Sequence, residues 1–174
     1  MKIHYKPLSR IFPEAHPRKG EQTFFIEKIW RSLQVDGKPT VEMEKYIVAY
    51  CQYLNATKQL TDEYIKGTEN INPKPHTIRS ANKVKVGDFI QFFCWSGKPY
   101  RSRWIRPLPP IEVKKVWDFE IKYHGFYLNE EPCGLRMDII SANDGLNHKD
   151  LCDWFEYPKP FAGQIICWNE NIDY

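Results

Sequence analysis

The sequence predicts an α+β fold, a small twisted β-sheet or barrel flanked by helices. Apolar residues recur at helical spacing through roughly the first 70 positions and then switch to strand spacing. Aromatic residues make up 15% of the 174 residues, far more than a disordered chain carries. No run approaches the ~20 apolar residues of a membrane span. Met1 to Pro7 lacks the apolar core and cleavage site of a signal peptide. The expectation is one domain, 1–174, of a soluble cytoplasmic protein that makes no membrane contact.

The elements follow in order. Ile11 to Gly20 reads as a proline-punctuated loop. A first helix runs from Thr23, as cap, to about Gln34, with Phe25, Ile26, Ile29, Trp30 and Leu33 on one face. Asp36-Gly37-Lys38-Pro39 breaks it. Thr40 caps a second helix to about Asn55, buried along Met43, Tyr46, Ile47, Tyr50, Cys51 and Leu54. A short third helix starts at Thr61 and stops at Gly67. Val86-Gly87-Asp88 then turns into Phe89 to Trp95, a strand apolar on both faces. Ile111 to Ile121 reads as a second strand, and further strands are expected at Gly125–Leu128 and Leu135–Ile140. Asn147 caps a helix to Phe155, and Gly163 to Trp168 is a final strand.

Net charge is only +3, but it is unevenly spread. Lys74 to Lys115 holds ten basic and two acidic residues, a net of +8, and Val116 to Tyr174 carries −7. A basic middle interleaved with Trp and Tyr points to phosphate and base contact. Equally, basic middle and acidic tail can face each other across one fold. The five cysteines form no C-x-x-C pair, and four lie in apolar runs, so reduced buried thiols are expected rather than disulfides.

Lys74-Pro75-His76-Thr77-Ile78-Arg79 holds a K-x-x-T-x-R spacing. If extended, Thr77 and Arg79 share a face and His76 points away from them. A lysine beside an arginine resists protonation, so its neutral amine can act as a base toward a hydroxyl. This segment, followed by Val86-Gly87-Asp88-Phe89 and a strand, resembles the opening of the ASCH domain, a branch of the PUA-like superfamily. Asn72 stands where that family's G-x-K-x-x-T-x-R signature has its glycine. Ala142-Asn143-Asp144-Gly145-Leu146 is similar to the family's A-x-x-E-G-F element, and Phe161 to Trp168 to its closing strand. Phe12-Pro13 through Lys28-Ile29 is similar to the opening of bacterial and phage members. Residues 31–70 look like a helical insertion.

The resemblance implies a small PUA-like β-barrel whose cleft binds RNA or a modified nucleoside. In small bacterial members this group removes the acetyl group of N-acetylcytidine. Carried over, Thr77 is the nucleophile, Lys74 its base, Asp144 the acid that orients Lys74, and Arg79 a ligand of carbonyl or phosphate oxygen. Asp144 is a methylene shorter than the usual Glu, and Pro75 and His76 add bulk inside the motif. Other members bind or cleave RNA, which keeps a non-catalytic RNA-binding module and a ribonuclease as alternatives.

Cys94 to Trp104 is the second feature. Trp95, Tyr100 and Trp104 offer faces on which bases stack, and Lys98, Arg101 and Arg103 offer phosphate contacts. Packing of both Trp on the barrel is the competing expectation. Only His148 and Cys152 share a metal-like helical spacing, and no second pair supports them, so no metal is expected. Neither G-x-x-x-x-G-K-[ST] nor G-x-G-x-x-G occurs, and no cofactor is expected.

Overall fold

The computed structural model describes residues 1–34, 37–80 and 83–174. Its elements are β1 (Ile3–Pro7), α1 (Phe25–Ser32), α2 (Val41–Ala56), α3 (Asp62–Thr68), β2 (His76–Ser80), β3 (Phe89–Trp95), β4 (Trp104–Ile105), β5 (Ile111–Glu112), β6 (Lys115–Lys122), β7 (Gly125–Leu128), β8 (Glu131–Pro132), α4 (Met137–Asn143), α5 (His148–Trp154) and β9 (Phe161–Cys167). The mixed α+β class is as predicted. Residues 31–70 supply α2 and α3. Asp36, placed in the helix break, lies outside the described residues.

The expected barrel is not closed. One sheet joins β1 to β3 in parallel, with β4 and β5 antiparallel to β3. The other is antiparallel in the order β2-β9-β6-β7-β8. Among the described residues no strand of one sheet pairs with a strand of the other. The predicted strand Ile111–Ile121 is two strands, one in each sheet. At the change-over, Val113 N–H donates to Asp88 O at 2.8 Å and Lys114 N–H to Cys167 O at 2.8 Å. Successive amides of an extended chain point opposite ways, so one turns to each sheet.

Both sheets pack into one core. β3 is buried on both faces, and Trp117, Phe119 and Ile121 alternate inward from β6. Ile165 and Ile166 of β9, Ile29 of α1 and Leu151 of α5 complete it. Thr40 and Asn147 cap α2 and α5 through their side chains, as expected, and Thr61, read as the start of the third helix, is the cap of α3. The cap position of α1 is Phe24 rather than Thr23, although the Thr23 hydroxyl accepts Phe25 N–H at 3.4 Å while donating to Ser9 O at 2.7 Å. The predicted strand Leu135–Ile140 is a 3₁₀ turn running into α4. The five cysteines are free thiols. Among the described residues no helix is long and apolar enough to cross a membrane.

Candidate active site

β2 lies antiparallel to β9, with Thr77 opposite Ile166 and Arg79 opposite Gln164. Just before it, Lys74 N–H donates to Lys28 O of α1 at 2.9 Å, and Pro75 O accepts Trp168 N–H at 3.1 Å. Lys74 is thereby turned into the protein, with 1% of its surface exposed. Its Nζ lies 4.6 Å from the centre of the Phe25 ring.

The acid reaches it from the other side. Asp144 is the C-terminal cap of α4, and Gly145 follows with φ +80°, a left-handed conformation that suits glycine. Lys74 Nζ donates to Asp144 Oδ1 at 2.5 Å and to the Asp144 carbonyl. The same Oδ1 accepts Ile78 N–H at 3.1 Å, so one carboxylate holds both the amine and the β2 backbone. The shorter acid therefore makes the contact directly.

Burial pushes the Lys74 amine down to about 8; Asp144 opposes this, and the charges of Arg79 and Lys28 add to it. Burial also raises the Asp144 carboxyl, against the pull of Lys74. Arg79 is lowered by burial, and its Nε is enclosed with no hydrogen-bond partner among the described residues. A guanidinium stays charged under these conditions. His76 faces away from Thr77 along the strand, but its Nε2 is 3.9 Å from Asp144 Oδ1. Its Nδ1 meets the Tyr174 hydroxyl at 2.6 Å. Burial, then Lys74, holds His76 well below its usual midpoint, so it is neutral.

Lys74, Thr77, Arg79 and Asp144 line one cavity of about 230 Å³, and Trp95 and Tyr100 line it too. Among the described residues the Thr77 hydroxyl has no hydrogen bond, although Thr77 is buried. The three remaining predicted residues, Lys98, Arg101 and Arg103, do not line the cavity and are exposed beside it. Their turn is tied internally, by Ser96 N–H to Arg103 O at 2.9 Å and Gly97 N–H to Ser102 Oγ at 3.0 Å, which leaves the charged side chains in solvent. Tyr100 is 88% exposed. Trp104 stacks on Phe93 at 4.2 Å, yet keeps 48% of its surface exposed.

Phe25, Trp154 and Phe155 also wall the cavity. The sequence reading puts Phe25 on one face of the first helix and takes 154–155 only as the end of the last one, since their distance along the chain hides the shared pocket. A larger cavity of about 510 Å³, lined in part by Lys28, Asn72 and Gly145, shares no lining residue with the first.

The basic middle divides. Lys74, Lys114 and Lys115 meet Asp144, Glu170 and Asp173 of the acidic tail. Lys98, Arg101, Arg103 and Arg106 form no ion pair among the described residues. The facing of basic middle and acidic tail holds for these three lysines, and the other four side chains stay exposed.

Among the described residues, His16, Asp150 and Asp153 are the one set of three potential metal ligands within reach of each other. Their capacity is already used: Arg18 Nη1 donates to Asp150 Oδ2 at 2.6 Å, and His16 Nε2 faces Asp150 O at 3.1 Å. His148 lies 3.4 Å from Asp138 instead of joining Cys152. No protein-family model, curated protein or solved structure matches the chain.

Proposed function

We propose that this protein is an ASCH-type amidohydrolase that removes an acyl group from the exocyclic amine of a nucleobase, as in N-acetylcytidine. The observation that carries the reading is the buried Lys74–Asp144 contact in a cavity shared with Thr77 and Arg79. The cavity, at about 230 Å³, falls below the roughly 300–1,000 Å³ of drug-sized pockets. It suits one substituted heterocycle, with the sugar at the mouth beside Tyr100. The two-sheet core that carries the site takes the place of the compact PUA-like barrel in this reading.

The residues present supply each step. Thr77 Oγ attacks the acyl carbonyl carbon while the neutral Lys74 amine takes the hydroxyl proton. Arg79 faces the oxygen that gains charge. The Lys74 ammonium gives that proton to the departing exocyclic nitrogen of the base, the C–N bond breaks, and an ester remains on Thr77. A water then gives a proton to the Lys74 amine and attacks the ester carbon, the ester C–O bond breaks, and the Lys74 ammonium returns the proton to Thr77 Oγ as a carboxylic acid leaves. Asp144 holds the amine in place through two acceptors, so its lone pair has one orientation to offer.

The test is incubation of the purified protein with N-acetylcytidine and acetylated cytosine and adenine, followed by chromatography. Cytidine or free base should form with the wild type and not with Thr77→Val. Equal, background-level conversion by both proteins removes the hydrolase reading.

One observation favours the second reading, a non-catalytic RNA-binding module. Tyr100 and Trp104, both exposed, flank Trp95 of the cavity wall, in the same segment as the exposed Lys98, Arg101 and Arg103.

A further inference from the structure

Lys28 of α1 reaches the same chain turn as Lys74, from the opposite side. Its Nζ donates to Gly145 O at 2.6 Å, while Lys74 Nζ donates to the carbonyl of Asp144, the preceding residue. Two successive carbonyls at the end of α4 thus hold two lysine side chains. Gly145 is the wall between them: a Cβ there would lie 3.2 Å from Lys28 Cδ and 3.3 Å from Lys74 Cδ. The two lysines are also joined through the backbone, Lys74 N–H to Lys28 O. Lys28 lines the larger cavity and Lys74 the smaller, so only Lys74 faces the cavity that holds Thr77.

We propose that Lys28 is a positioning residue for Lys74, a positive charge across Gly145 that disfavours a second charge on the Lys74 amine. This rests on the reading of Lys74 as a base. The Lys28 amine is itself lowered, by burial first and then by Arg18. Around Lys74 the other charged or titratable groups are Asp144, Arg79 and the neutral His76 with its partner Tyr174. Around Lys28 they are Arg18, Asp150, Glu27 and Asp144. Glu27 is engaged by the Tyr64 hydroxyl and Asp150 by Arg18. Asp144 already receives Lys74, so Lys28 reaches the α4 turn through a neutral carbonyl, and its charge is not cancelled by direct pairing. Among the groups acting on the Lys74 amine, Lys28 follows burial, Asp144 and Arg79.

The test follows the ε-carbon of Lys74 by NMR against pH in protein carrying labelled lysine, the signal being assigned by its loss in Lys74→Met. The wild type should titrate near 8. Lys28→Met should move that midpoint measurably upward. Lys28→Gln, which can still donate to the Gly145 carbonyl, should move it likewise, and Lys28→Arg should leave it in place. The unchanged amide spectrum of Lys28→Arg checks the fold. An unmoved midpoint in Lys28→Met, or a wild-type midpoint in Lys28→Gln, overturns the proposal. The NMR midpoint is read without substrate, so a protein inert toward every acyl-base would sink the hydrolase reading and leave this result standing.

Discussion

Lys74 and Asp144, 70 residues apart, meet through two acceptors on one partner: Nζ donates to both the side-chain Oδ1 and the backbone carbonyl of Asp144. Because Oδ1 also takes the Ile78 amide, the pair fixes β2 to the end of α4 as well as fixing the amine.

Removing the acid leaves a buried cation without its counter-charge. Breaking one side of a buried pair costs about 3–5 kcal/mol. In a chain of this length that lowers Tm by about 10 °C. Asp144→Ala should show this by calorimetry, and the double variant Asp144→Ala with Lys74→Met, which removes both charges, should lose clearly less than Asp144→Ala alone. Equal losses would mean that the stranded charge is not the cause.

Thr77→Val should separate chemistry from stability. The hydroxyl makes no hydrogen bond among the described residues, so replacing it by a methyl group leaves no partner stranded. The variant should melt within a few degrees of wild type and lose turnover by about 10³-fold or more.

The pH dependence follows from the Lys74 amine at about 8. A base must be neutral, so kcat/KM should rise with pH through about 8 with the slope of one proton lost. Stability should move the same way. The unfolded lysine has a midpoint near 10.4, so between the two midpoints the unfolded chain binds more protons, and unfolding becomes harder as pH rises. The penalty present below the folded midpoint is about 3 kcal/mol. Urea titrations from pH 7.5 to about 9.5 should show the rise in wild type and a flatter line in Lys74→Met.

Gly163 tests the backbone around Arg79. A Cβ there would lie 2.2 Å from Arg79 O, a backbone atom that cannot swing aside. Gly163→Ala should cost about 3 kcal/mol, the upper part of the overpacking range, because β2 must separate locally from β9. Amide exchange should quicken first at residues 79 and 80.

For the RNA-binding reading, the rim is decisive. Single-stranded RNA should bind with an affinity that falls steeply with salt, and Arg101→Ala with Arg103→Ala should flatten that slope by about two phosphate contacts. Trp104→Ala should weaken binding by about 1–3 kcal/mol without changing the slope. A wild-type slope of zero in a fluorescence titration would end this reading.

Much of this was legible before the structure. The caps Thr40, Thr61 and Asn147 announce their helices locally, and six of nine candidate residues line one cavity. What failed did so for physical reasons. Leu135, Met137 and Ile139 mimic a strand with period two, yet Met137, Ile140 and Ser141 are the buried set, at helical spacing. Leu135 and Ile139 are instead 104% and 60% exposed. β1 went unread because its parallel partner β3 lies far along the chain and its own inward residue is Lys6. The two-sheet division of 111–122 was hidden because the alternation runs on past the point where hydrogen bonding changes hands.

That change of hands at Val113 and Lys114 limits what the gene can tolerate. One codon inserted there would offset everything downstream by a residue, sending Trp117, Phe119 and Ile121 to the solvent side of β6. The same insertion in the exposed turn at 97–101 would merely lengthen it. Length variation should therefore accumulate at the mouth of the pocket and be purged from the two-residue link beneath it.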